Sequence, residues 1–77
     1  MARKFKTFDV RPILARGLEP FSEIRAQVNE MGKNEGLSVI APFLPSPLIE
    51  KLGSEGYHSR VERQVGGCWI THFWRED

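Results

Sequence analysis

The chain opens on alternation. Phe8 and Val10 fall on one side of the opening segment and Thr7 and Asp9 on the other, the period-two pattern of a half-buried strand over residues 5–10. Pro12 stops it by removing an N–H that a ladder would need. For about eight residues, as far as Glu19, the pattern lapses, a longer connection than most between a strand and a helix. Ile13 and Leu14 in this stretch either plug the end of the sheet or hold a site open beside it. The period then changes: Phe21, Ile24, Val28 and Met31 recur at intervals of three, four and three, which places them on one face of a helix ending near Met31. Pro20 suits the first helical position, where its φ is already set and its missing N–H costs nothing, and Glu19 falls at the cap.

Residues 37–41 read as a second short strand, β-branched at Val39 and Ile40 and stopped by Pro42. Ser46 followed by Pro47 signals a second helix start, with a hydroxyl to cap the free amides. Leu48 and Leu52 give that helix its inner face, and Gly56 supplies a permissive backbone after its last turn. Residues 57–65 and 68–75 read as two strands joined by Gly66-Gly67, a pair that can take positive φ in a tight hairpin.

The order is β-α-β-α-β-β. Right-handed crossovers make the first three strands parallel and put both helices on one face. The last strand pairs antiparallel with its hairpin partner and inserts beside the second. The expected fold is an α+β two-layer sandwich: a four-stranded mixed sheet in the order 1-2-4-3, covered on one side by two helices, within a single domain over residues 1–77. The other sheet face is left bare. If Trp69, Thr71 and Phe73 point at the helices, Cys68, Ile70, His72 and Trp74 point outward, where Ile40 joins them. The reverse register buries Ile70 and Trp74 and exposes Trp69 and Phe73. Either leaves an apolar strip of the kind that marks a partner surface, to be covered by a second copy, another protein or a fused neighbour.

Composition narrows the classes. Seventy-seven residues bury one modest core, about 60% of the unfolded chain's surface. With 40% hydrophobic and 27% charged residues, the chain reads as an ordinary soluble domain. Eleven basic and ten acidic residues leave a net charge of +1, without the basic excess that nucleic-acid domains usually carry. Arg3, Lys4, Lys6, Arg60 and Arg63 could gather beside Trp74, but Glu62, Glu76 and Asp77 dilute them. The single cysteine, Cys68, allows no intrachain disulfide and no thiolate zinc cluster, which fits a reducing cytoplasm. No apolar run has the length of a signal peptide or a membrane span, so membrane association is not expected.

The motifs Asp9-Val10-Arg11-Pro12, Arg16-Gly17, Pro20-Phe21, Ala41-Pro42-Phe43, Pro45, Pro47-Leu48 and Gly56 resemble, in order and spacing, the DUF2249 family of uncharacterised bacterial and archaeal domains. The resemblance runs from Phe8 to Trp74. That family is similar to the TusA/SirA-like sulfur carriers, whose fold is the same β-α-β-α-β-β sandwich. In those carriers a Cys-Pro pair opens the first helix, where the helix dipole and free amides stabilise a persulfide-bearing thiolate. Here the pair is Glu19-Pro20, and a carboxylate cannot hold sulfane sulfur. Cys68, expected on the final strand and far from this helix, does not replace the thiol. The resemblance also implies company with hemerythrin-like and other metal or redox modules in respiratory and nitrogen-oxide metabolism.

Four chemistries remain to be weighed. Two helix starts on one sheet edge, with Arg11 and Arg16 nearby, favour a small anion. Asp9, Arg11, Arg16, Glu19, Pro20, Phe43 and Ser46 are the candidate ligand-binding residues, with Arg11 set to meet Glu19. The opposing reading is that Glu19 occupies the helix end itself and pairs with Arg11 or Arg16. Metal ligation finds no donors at motif spacing, and His58 and His72 fall about three places out of register across the hairpin. No cofactor is implied. Neither a Ser-His-Asp nor a Cys-His arrangement is suggested, and a free-standing enzyme is not expected. Nucleic acid is disfavoured by charge. The expected function is a small cytoplasmic binding or adaptor domain with a protein partner, a second copy of itself or a small anion. The alternative is a degenerate sulfur-relay protein that docks partners without carrying persulfide.

Overall fold

The computed structural model describes residues 4–32 and 34–75. Its elements are β1 (Lys4–Asp9), α1 (Arg11–Ala15), α2 (Phe21–Asn29), β2 (Glu35–Ala41), α3 (Ser46–Ser54), β3 (Tyr57–Arg63) and β4 (Trp69–Arg75). The four strands form one sheet in the order β1-β2-β4-β3, with β1 parallel to β2 and β4 antiparallel to both of its neighbours. The two-layer α+β architecture and the strand order are those that the pattern predicts.

The core lies between the helices and one sheet face. Leu37, Val39 and Ala41 of β2 and Phe73 of β4 meet Ile24 and Val28 of α2 and Leu48 and Leu52 of α3, all of them buried. Thr71 and Phe73 therefore face the helices. Of the two registers open from the sequence, this is the one that sends Ile70, His72 and Trp74 to the helix-free face.

Several local details differ from expectation. Part of the supposed long connection winds into α1, with Pro12 in the first turn, where proline fits a helix. Gly17 then takes φ 74°, and the amides of Gly17 and Leu18 return to the carbonyls of Leu14 and Ile13 at 2.9 and 3.1 Å. Leu14 packs on the core, so the packing role of this segment is met. Helix α2 begins one residue late: Pro20 is its cap, and the Pro20 carbonyl accepts the first ladder bond from Ile24 at 3.0 Å. Phe21 is exposed rather than on the inner face. Ser46 is already inside α3 and makes no side-chain cap; Pro45 precedes the helix.

The hairpin carries the largest consequence. Gln64 N–H donates to the Cys68 carbonyl at 2.8 Å, and Arg63 pairs with Trp69. The loop is thus Val65-Gly66-Gly67, with Gly66 and Gly67 at φ 93° and 83° and Val65 fully exposed, instead of a Gly66-Gly67 pair between longer strands. Cys68 precedes β4 and does not belong to it. Moving the register by one residue turns every side chain of β3 to the opposite face. As a result His58, Arg60 and Glu62 join the outer face, while Arg63 lies over Trp69, 5.7 Å from the ring centroid, on the helix side.

Candidate functional site

The junction between β1 and α2 was the expected site, and its residues are differently engaged. Asp9 and Arg11 bond to each other. The Arg11 Nε donates to Asp9 Oδ1 at 2.9 Å, Nη2 donates to Oδ2 at 2.6 Å, and the Arg11 backbone N–H donates to Oδ1 at 2.9 Å. That fork holds the Asp9 carboxyl below its ordinary value, mainly through the side-chain hydrogen bond, and the carboxylate in turn raises the Arg11 guanidinium.

The third nitrogen of the guanidinium, Nη1, donates to Cys68 Sγ at 3.3 Å. Cys68 is therefore beside the end of β1 and not far from the junction, because β4 starts at the sheet end where β1 and β2 finish. Glu19 serves α2. Its carboxylate accepts the Phe21 N–H, the Ser22 N–H at 3.4 Å and the Ser22 hydroxyl at 3.1 Å, a role left open because Pro20 has no side-chain oxygen. Among the described residues no bond joins Arg11 or Arg16 to Glu19. Pro20 is buried, while Arg16, Phe43 and Ser46 are exposed. With the helix end taken by Glu19 and Arg11 taken by Asp9, the junction is a satisfied network.

The bare sheet face holds a second constellation, most of which sequence reasoning did not assemble. Side chains there align in rows across the strands: Phe5, Gly36, Trp74 and His58; then Thr7, Ser38, His72 and Arg60; then Asp9, Ile40, Ile70 and Glu62. Phe5 lies flat across Gly36, where a methyl group would overlap its ring. Reaching over that gap, Phe5 meets His72 at 5.5 Å and 82° and Trp74 at 6.4 Å and 72° between ring planes. His58 stacks on Trp74 at 5.7 Å and 26°. A cleft of about 370 Å³ opens between these rings and is lined by Phe5, Arg60, Glu62, His72 and Trp74.

A hydrogen-bonded line crosses its floor. Ser38 Oγ lies 2.7 Å from His72 Nδ1, and His72 Nε2 lies 2.9 Å from Glu62 Oε2. With Glu62 ionised, Nε2 carries the proton it donates, and in the neutral ring Nδ1 accepts from the Ser38 hydroxyl. The bond from His72 lowers the Glu62 carboxyl below its ordinary 4.5, helped by the positive Arg60 nearby. Both imidazole nitrogens are engaged, and no cluster of three potential metal ligands occurs among the described residues.

Of the expected partner surface, Ile40, Ile70, His72 and Trp74 share this face and are partly exposed, whereas Cys68 sits beyond the last row against Arg11. Phe5, Ser38, Arg60 and Glu62 were not foreseen as site residues. Phe5 was legible in principle, since the alternation that buries Phe8 turns Phe5 outward. Arg60 and Glu62 were hidden by the hairpin register. The basic residues weighed for a patch are split between the faces: Lys6 pairs with Leu37 on the helix side and Arg63 lies there too, while Arg60 is on the outer face. Arg3, Glu76 and Asp77 lie outside the described residues.

A family model described as an uncharacterized conserved protein, DUF2249, matches residues 7–75. No curated protein and no solved structure matches the chain.

Proposed function

The chain belongs to the DUF2249 family, and from that premise and the geometry of its bare sheet face we propose that it is a small binding domain that takes its ligand into the Phe5–Trp74 cleft. The observation that carries this reading is the fixed floor. His72 is held at both nitrogens, Trp74 is backed by His58, and Phe5 is seated over Gly36, so the cleft is shaped before anything enters it.

Catalysis is the less economical reading of the same residues. A hydroxyl, an imidazole and a carboxylate in line is the arrangement of nucleophilic hydrolases. Ser38, however, is only 5% exposed and lies in the middle of a strand paired on both sides, whose backbone groups are committed to the ladders. It has neither room for a substrate carbonyl nor free amides to hold an oxyanion. The line orders the floor instead.

A screen of neutral, cationic and anionic fragments by two-dimensional NMR of nitrogen-labelled protein tests the reading. Hits should displace the amides of β3 and β4 around His58 to Glu62 and Ile70 to Trp74. Displacements gathered at Arg11 to Phe21 would return the site to the junction, and none at either place would end the binding-domain reading.

The second reading is a relative of the TusA/SirA-like carriers that docks partners without carrying sulfur. Glu19 favours it: a carboxylate stands before the α2 proline and supplies the helix end with the negative charge that a carrier thiolate would bring. Intact mass after incubation with a persulfide donor should show no gain; a gain of one sulfur atom at Cys68 would instead indicate active sulfur transfer. The cytoplasmic setting, and a link to redox or nitrogen-oxide metabolism, belong to this family-level proposal alone.

A further inference from the structure

The cleft's chemistry goes beyond its shape, and resting on the binding reading above we infer that it takes a small planar aromatic molecule bearing an acidic group. Three observations converge. The first is the corner formed by Phe5, His72 and Trp74. Their rings meet at 82° and 72°, so a flat ring laid into the corner meets one partner edge to face whichever wall it lies against. A volume of about 370 Å³ is near the lower end of ligand sites and suits one or two fused rings.

The second is a spare cation. Arg60 stands on the edge strand at the cleft's rim and makes no hydrogen bond or ion pair among the described residues. Its planar fork matches a carboxylate or a phosphate. Glu62 feels the positive charge of Arg60 but gives its Oε2 to His72 and forms no ion pair with Arg60. The third is a spare acceptor. Glu62 uses Oε2 for His72, which leaves Oε1 without a donor among the described residues and directed by the same fixed carboxylate. A ring N–H on the ligand would satisfy it. His72 has no nitrogen left to offer and acts as floor. An aliphatic acid would satisfy Arg60 but not the ring corner, and a neutral arene would leave Arg60 unpaired.

Matched probes separate these contributions: indole-3-carboxylate, which has ring, acid and N–H; indole, without the acid; cyclohexanecarboxylate, without the aromatic ring; and 3-indoxyl phosphate, in which a phosphate replaces the carboxylate on the same ring. Titrations are followed by amide shifts at Arg60, Glu62, His72 and Trp74. Indole-3-carboxylate should bind at least tenfold more tightly than indole or cyclohexanecarboxylate, the size of one charge-assisted hydrogen bond. Arg60→Gln, an exposed change outside the core, should remove that advantage over indole. Tighter binding of 3-indoxyl phosphate than of indole-3-carboxylate would assign the acid to phosphate, and the reverse order would assign it to carboxylate; either supports the inference. Equal binding of indole and indole-3-carboxylate, or an Arg60→Gln variant that keeps the preference, overturns the ligand class while the cleft remains a binding site. Absence of shifts with all four probes overturns it as well, and the fragment screen then decides whether the binding reading falls with it.

Discussion

Individual side chains make the sharpest tests. Thr71 is fully buried in the centre of β4, facing the helices, and its Oγ1 has no hydrogen-bond partner among the described residues. An unpaired hydroxyl in an apolar core is costly, and valine has nearly the same shape. Thr71→Val should stabilise the domain by about 1 kcal/mol, read as a higher urea midpoint at unchanged slope; a loss of stability would mean that the hydroxyl has a partner. On the outer face, Glu62 is held below 4.5 chiefly by the bond from His72. A lowered carboxyl favours the folded state above its unfolded value, and that contribution is lost as pH falls through the folded one, so the affected window lies below about pH 4.5. In a carbon NMR titration Glu62 should therefore ionise below its ordinary value. His72→Phe, which keeps a ring on the floor, should move it back up and leave Asp9, held by Arg11, where it is. No pattern of hydrophobicity reveals either group: threonine fits a strand on any face, and the partners of Glu62 depend on which residue lies across from it.

At the level of elements, what could be read depended on whether local chemistry or pairing decided the outcome. Period and punctuation placed every strand, α2 and α3, and erred at their ends. Helix α1 was missed because five residues give too little period to see. The three-residue hairpin loop looks like a two-residue one in the sequence because Gly66-Gly67 satisfies both geometries, and that single residue turns Arg60 and Glu62 to the other face. The contact between β1 and β2 supplies a test of the cleft wall. Gly36 has ordinary negative φ, so its backbone would accept a side chain; only the Phe5 ring forbids one. Gly36→Ala should cost about 1–3 kcal/mol as an overpacked contact. In a Phe5→Ala background the same change should cost almost nothing, since alanine suits a strand better than glycine does. Additive effects in that cycle would show that Phe5 does not rest on Gly36. Loss of the Glu19 carboxylate, in Glu19→Ala, should lower stability by about 1 kcal/mol, as other lost caps do, and should leave binding in the cleft unchanged.

Across the whole molecule, the two faces of the sheet divide the work, and the division sets an expectation for its motions. β2 and β4 are paired on both sides and carry Leu37, Val39, Thr71 and Phe73, all fully buried, whereas β1 and β3 are edges with largely exposed side chains. Amides that open only when the domain unfolds should therefore belong to the central pair, and edge amides should open at lower free energy. The cleft straddles this boundary. Its floor, His72 and Trp74 on β4, stands on a slow strand, and its walls, Phe5 on β1 and Arg60 and Glu62 on β3, stand on the fast ones. A ligand held between the walls must tie the edges together across the rigid centre. It should slow hydrogen exchange in β1 and β3 by the factor its occupancy dictates, while exchange at Leu37 and Phe73 follows only the gain in global stability. If β1 in the free domain already exchanges as slowly as β2, the walls are as rigid as the floor, and this coupling has no basis.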